Sequence, residues 1–248
     1  MVFGLTGVIA GLVVGSFLNV LIWRLNVFGA PKFWEGRSIC PGCRHIIGWR
    51  DNIPLLSFGL LGGRCRWCRK KISRRYPAVE AVTAVAFGVI GSFWGTGGVW
   101  AMGLAAVFIV IFFSDLVYGL IPDEAVAAGI VFCVLGNTGN LGFLRAATAT
   151  GFVSALIFLA IVLITKFRGM GLGDVKLAFL IGLVLGWPGA LAAFWAAFVL
   201  GGAAAAVLLV LKRTKLSATI ALGPFLVAGV VFSALWSRVF FDFLGVLR

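Results

Sequence analysis

The stretch VWAMGLAAVFIVIFFSDLVYGLIPDEAVAAGIVFCVL, residues 99–135, holds two apolar runs on either side of a short polar turn. A membrane-crossing helix needs about 20 predominantly apolar residues. The first run approaches that length and the second, from 122 to 135, is somewhat short. Asp115 stands where the first run ends. Working outward, similar runs occupy roughly 2–23, 77–94, 143–165, 174–187, 190–211 and 218–244. The turns between them are rich in glycine, asparagine and proline: Gly95-Thr96-Gly97-Gly98, Gly136-Asn137-Thr138-Gly139-Asn140 and Trp187-Pro188-Gly189. The sequence therefore predicts an all-α, polytopic membrane bundle of about eight spans.

Composition agrees. The chain has 248 residues, of which 62% are hydrophobic and only 12% charged. Soluble domains carry about 25% charged residues. Met1–Trp23 is too long, and too poor in N-terminal positive charge, for a removed leader, and it reads as a retained span. Three regions are expected: a first helix over 1–23, a polar loop domain over 24–76 and a helical membrane domain over 77–248.

The net charge of +13 is uneven. Residues 24–76 contain 12 lysines and arginines against two acids, Glu35 and Asp51. Basic loops stay on the cytoplasmic side of a membrane and touch anionic lipid headgroups. No nucleic-acid-binding motif accompanies the basic run, so a lipid bilayer rather than nucleic acid is the expected partner. With this loop inside, loops 115–122, 166–173 (Lys166, Arg168) and the Lys212, Arg213, Lys215 segment also fall inside. The outer turns are nearly free of basic residues, Arg145 being the main exception.

That threading brings Asp115 and Asp174 to one membrane face. Asp115 ends the third span, and Asp174 in GMGLGDVKLAF (169–179) begins the sixth. Carboxylates at the edge of a bilayer are costly and mark function. A close pair holds one proton more readily than none, so one member can take a proton from water while the other donates to a carbonyl oxygen. Two helix-end charges, or an ion-coupling site in a transporter or assembly scaffold, fit the same residues. Gly171 and Gly173 before Asp174 would let a substrate backbone approach. Lys176 can snorkel or pair with a carboxylate. Pro122-Asp123-Glu124 reads as a helix start. Asn19 and Glu80 are polar groups inside apolar runs, expected to be buried and hydrogen-bonded, with a structural role or a substrate contact. Gly223-Pro224-Phe225 predicts a kink in the last span.

Cys40-Pro41-Gly42-Cys43 and Cys65-Arg66-Trp67-Cys68 form two CxxC knuckles. Four thiolates so spaced suit tetrahedral zinc in a closed, structural site. Cytosolic placement disfavours disulfides. His45 reads as an ordinary loop residue, since four cysteines fill the shell, and Cys133 reads as a small core residue.

Taken with GSFLNVLIWRL (15–25), NIPLLS (52–57), RRYPAVEAVTA (74–84), DLVYGLIPDE (115–124), GLGDVK (171–176) and GPF (223–225), the chain resembles the bacterial type IV prepilin peptidase family, the leader peptidase/N-methyltransferases. The resemblance implies an aspartyl peptidase in the bacterial inner membrane, with its catalytic carboxylates at Asp115 and Asp174. It implies prepilin or pseudopilin substrates of type IV pilus or type II secretion systems, cut after a glycine on the cytosolic side. It also implies methylation of the new amino terminus with S-adenosylmethionine. A peptidase without the methyltransferase activity is the alternative. Many members of the family carry an acid where this chain has Val117. No nucleotide-cofactor motif marks a methyl-donor site.

Overall fold

The computed structural model describes residues 2–27, 38–40, 42–167, 169–211 and 221–244, with 237–244 described by backbone alone. Lys32, Glu35, Arg37, Pro41, Arg168, Lys212, Arg213, Lys215 and the expected start of the last span at Ala218 lie outside the described residues. Among the described residues the protein is all-helical, apart from two isolated antiparallel bridges. Four segments are long and apolar enough to cross a membrane: Val2–Val27, Arg75–Tyr118, Leu141–Ile164 and Leu172–Val210. The chain divides into two units, residues 1–113 and 114–248.

In the first unit, α1 (Val2–Val27) packs along α3 (Arg75–Trp94). Gly4, Gly7, Gly11 and Gly15 are buried and line one face of α1 at helical spacing. A methyl group on Gly11 would lie 2.6 Å from Thr83 O and Ala84 Cα, and one on Gly15 would lie 2.8 Å from Glu80 Cα. Small residues allow this approach, and it matters because lipid tails offer no hydrophobic drive for helix association. The opposite face of α1 exposes Leu5, Ile9, Val13 and Phe17, side chains suited to lipid. Gly95–Gly98 forms a 3-10 turn that separates α3 from α4 (Val99–Tyr118).

Between α1 and α3 the chain builds twin knuckles and the short helix α2 (Leu56–Leu60). In the first knuckle Cys40 N donates to His45 O and Arg44 N to Cys40 O; in the second Cys65 N donates to Lys70 O and Arg69 N to Cys65 O. Arg44 and Arg69 both adopt φ 57°. One antiparallel bridge closes each knuckle, Ile39 to Ile46 and Arg64 to Lys71. Arg66 clamps Asp51 through two nitrogens, the shorter contact being 2.6 Å.

The second unit holds the end of α4, then α5 (Asp123–Gly136), α6 (Leu141–Ile164), α7 (Leu172–Val210) and α8 (Gly223–Leu244). Asn140 caps α6 by accepting from Phe143 N at 3.1 Å. α6 meets α7 where Gly151 and Gly182 face each other; a methyl group on Gly182 would stand 2.6 Å from Gly151 Cα. Ser233 on α8 donates to Gly189 O at 2.8 Å. α7 counts 39 residues, about 58 Å at 1.5 Å per residue, and it is interrupted by non-helical backbone at Gly186 (φ 60°) and Trp187. Cys133 is buried in α5 against Leu183 O, as a small core residue would be. The kink expected at 223–225 is corrected: these residues begin α8. Pro224 has no N–H to lose in a first turn, so it opens the helix where in mid-helix it would bend it.

Candidate active site

Asp115 lies in the last turn of α4. The helix stops there because Gly119 takes φ 65° and returns its N–H to Asp115 O at 2.9 Å, a left-handed cap that glycine adopts without strain. The residue is 8% exposed. Its Oδ2 accepts from Gly223 N, the first residue of α8, at 2.9 Å. A methyl group on Gly223 would stand 2.5 Å from that oxygen, so only glycine allows the approach. Helix N-termini present unpaired N–H groups and a partial positive charge, which suit a carboxylate.

Asp174 is in the first turn of α7. Its Oδ2 reaches back to accept from Gly171 N at 3.0 Å, and its own N–H donates to Gly171 O at 3.2 Å. This is one half of a capping box, since glycine has no side chain to complete the other. Gly173 faces Ile121: a methyl group there would lie 3.3 Å from Ile121 Cβ, tighter than ordinary packing. Its lack of a side chain thus lets the start of α7 settle against the turn that follows Asp115. The two carboxylates lie within electrostatic reach of each other. Each commits Oδ2 to a backbone amide.

Asp123 begins α5, with Pro122 as the extended residue before it. Lys176 Nζ donates to Asp123 Oδ1 at 2.6 Å, an ion pair whose side chains are both well exposed. It joins the start of α5 to the start of α7. Sequence reasoning left the partner of Lys176 open. It also missed the Gly223 amide, whose only trace in the sequence is a glycine set before a helix-opening proline.

Asn19 and Glu80 belong to the first unit. Asn19 is 1% exposed, and its Nδ2 donates to Tyr76 O at 3.0 Å and Gly15 O at 3.3 Å. Glu80 is 8% exposed, and its Oε2 accepts from Leu55 N at 2.8 Å.

The thiol groups of Cys40, Cys43, Cys65 and Cys68 gather within 4.8 Å of one another. Cys40 and Cys68 sulfurs are 3.8 Å apart. A tetrahedron with Zn–S bonds of about 2.3 Å has edges of about 3.8 Å, so the cluster is compatible with zinc. The Cys43 amide bonded to its sulfur brings the Cys40 thiol down to about 6, against the opposing effect of burial. Cys43 is pushed up to about 11: the His45 amide favours its thiolate, but burial and the neighbouring sulfurs outweigh it. Crowded thiols compete for negative charge, and a divalent cation relieves that competition. His45 stacks on Trp67, with ring centroids 4.2 Å apart.

Comparison with known proteins finds two family models along the chain. Residues 9–94 match the bacterial peptidase A24 N-terminal domain, and residues 102–206 match the type IV leader peptidase family. A prepilin leader peptidase/N-methyltransferase of Burkholderia pseudomallei is 32% identical over 96% of this chain and 87% of its own length. One of the same name from Aeromonas salmonicida is 33% identical over 91% and 88%. A type 4 prepilin-like proteins leader peptide-processing enzyme of Escherichia coli O78:H11 is 36% identical over 68% and 72%. No solved structure matches the chain significantly. A relative above 30% identity along nearly the whole length, with both domain models in order, establishes that this chain belongs to the type IV leader peptidase family.

Proposed function

We propose that this protein is a multi-pass enzyme of the bacterial inner membrane that removes the basic leader of type IV prepilins or pseudopilins at the cytosolic face and then N-methylates the new amino terminus. The observation that carries the peptidase reading is the meeting of Asp115 and Asp174, contributed by the end of α4 and the start of α7. In the catalytic state one carboxylate is ionised and the other protonated. The ionised group takes a proton from the water between them as its oxygen attacks the scissile carbonyl. The protonated group donates to that carbonyl oxygen as the tetrahedral adduct forms. Return of a proton to the amide nitrogen lets the C–N bond break. Gly171 and Gly173 give the extended substrate backbone room beside Asp174, and the Lys176–Asp123 pair fixes the helix starts around it.

Cytosolic placement rests on the basic loop 24–76 and on counting eight crossings. This count divides Arg75–Tyr118 at Gly95–Gly98 and α7 at Gly186–Trp187, and includes α5 and α8. Zinc held by Cys40, Cys43, Cys65 and Cys68 staples the loop domain, with no coordination position left open for chemistry. S-adenosylmethionine, when bound, supplies an electrophilic methyl group on a sulfonium. The protein must then present the new amine in its neutral form.

The test is co-expression with a prepilin from the same genome, followed by mass spectrometry of the pilin. Asp115→Asn and Asp174→Asn each abolish cleavage, while the wild type yields a mature pilin heavier by one CH2 at its amino terminus. Normal cleavage in either variant removes the aspartyl reading. Cleavage without the added mass leaves a peptidase alone.

A further inference from the structure

Two motifs of the sequence, GSFLNVLIWRL (15–25) and NIPLLS (52–57), take no part in the aspartyl chemistry, and the first unit brings them together. A groove of about 370 Å3 has Val13, Phe17, Val20 and Arg24 of α1 on one wall and Asn52 and Pro54 of the loop on the other. The four α1 positions recur at helical spacing and form a single stripe. The glycine face of α1 is taken by α3, so this stripe lies elsewhere on the helix. Val13 is 63% exposed and Phe17 51%, and they continue the face of Leu5 and Ile9 that suits lipid. The groove therefore opens to the bilayer. Its loop wall is fixed in place, because Leu55 N donates to Glu80 Oε2 of α3 at 2.8 Å.

The two ends of the groove differ. Val13, Phe17 and Val20 make one end apolar. The other end holds Arg24, in the last turn of α1, with Ser38 and Asn52 beside it. Arg24 is only 9% exposed although it is charged. A guanidinium offers five donors in a planar fork that matches the oxygens of a phosphate. From Val13 to Arg24 the helix rises about 16 Å at 1.5 Å per residue. One leaflet of hydrocarbon is half of about 30 Å, so the stripe spans the depth of one acyl chain. The charge then falls at the level of a headgroup. Residues 24–76 gather 12 lysines and arginines around that end, which favours an anionic headgroup. We infer that this groove binds one anionic phospholipid, its phosphate on Arg24 and an acyl chain along Val20, Phe17 and Val13, so that the lipid bridges α1 and the loop domain. A single site of this kind differs from the diffuse attraction between a basic loop and a charged membrane, because it selects position as well as charge.

The test uses the full-length protein in nanodiscs of phosphatidylcholine with a minority of phosphatidylglycerol, and native mass spectrometry reads the lipid retained on release. The wild type keeps one phosphatidylglycerol in preference to phosphatidylcholine. Arg24→Gln weakens that retention about tenfold, through loss of the forked phosphate contact. Arg50→Gln removes the same charge from an exposed arginine of the loop, outside the groove, and leaves retention within about twofold of wild type. A second arm needs no variant. Phosphatidylglycerol and phosphatidylcholine, each carrying a photoreactive diazirine on one acyl chain, are compared on the wild type. Phosphatidylglycerol labels peptides at 13–20 and 52–54 more strongly, while the two lipids label the exposed Leu156 and Ile157 of α6 equally. Equal retention in Arg24→Gln and Arg50→Gln overturns the site, since only net charge would then matter. Equal labelling of 13–20 by the two lipids also overturns it. So does full displacement of the retained lipid by glycerophosphoglycerol, the headgroup without chains, which would make the groove a site for a soluble anion.

Discussion

Gly223 is the residue whose role could least be read in advance. Its amide holds Asp115 Oδ2 across 108 positions of sequence, and its missing side chain makes room for that oxygen. The aspartates announce themselves, because a carboxylate at the edge of an apolar run is costly and stands out in one dimension. A glycine's close approach depends on a partner that one dimension does not show. Gly223→Ala is expected to push the carboxylate off the amide and lower leader cleavage at least tenfold, measured as the ratio of mature to precursor pilin in isolated membranes. Gly202→Ala, where a methyl group meets nothing within 4 Å, serves as the control and retains cleavage. Equal activity in the two variants would show that the Gly223 contact does not position Asp115.

Helix ends were the most legible elements, and helix faces the least. The glycine and asparagine turns at 95–98 and 136–140 mark real ends, because residues that leave helical backbone cheaply also interrupt hydropathy. The glycine face of α1 was missed, since glycines scattered through an apolar run barely change its hydropathy, and only the packing with α3 shows their purpose. Gly11→Leu must drive four heavy atoms toward Thr83 and Ala84 backbone. Overpacking of this kind costs about 1–3 kcal/mol, and more where the neighbour is main chain. Its thermal unfolding in nanodiscs is expected several degrees below wild type, whereas Gly59→Ala, with open space around it, is neutral. The loop knuckles were legible for a different reason: CxxC fixes sulfur spacing locally, and only the second pair had to be brought alongside. Cys40→Ser with Cys65→Ser removes one sulfur from each knuckle. Elemental analysis is expected to find bound zinc lost, with weaker amide-exchange protection over 38–73. Stoichiometric zinc in that variant would mean that the metal sits elsewhere.

At the scale of the whole molecule, the all-helical membrane character followed from the length of the apolar runs together with composition, while the number of crossings depends on how breaks within long helices are read. Hydropathy and length identify four segments, yet α7 at about 58 Å is nearly twice a hydrocarbon core of about 30 Å. A straight helix of that length, entering the core at Leu172, would carry Val207 and Val210 about 20 Å or more beyond it; in the eight-crossing reading a reversal at Gly186–Trp187 keeps both halves in lipid. α5, with 14 residues, is short for a span, but its acidic start and the turn at 136–140 place polar groups at both ends, and local thinning of the bilayer accommodates the difference. The eight-crossing reading makes a strict parity claim: an even number of crossings, two, separates Asp115 from Asp174, so the turns beside them open to the same compartment. Single cysteines introduced at Leu120, Gly169 and Thr138 test this with a membrane-impermeant maleimide, scored by peptide mass so that native thiols are distinguished. Leu120 and Gly169 are expected to react only from the cytosolic side and Thr138 only from the outside. Opposite sidedness at Leu120 and Gly169 would put the membrane between the two aspartates, and no water molecule could then be shared by them.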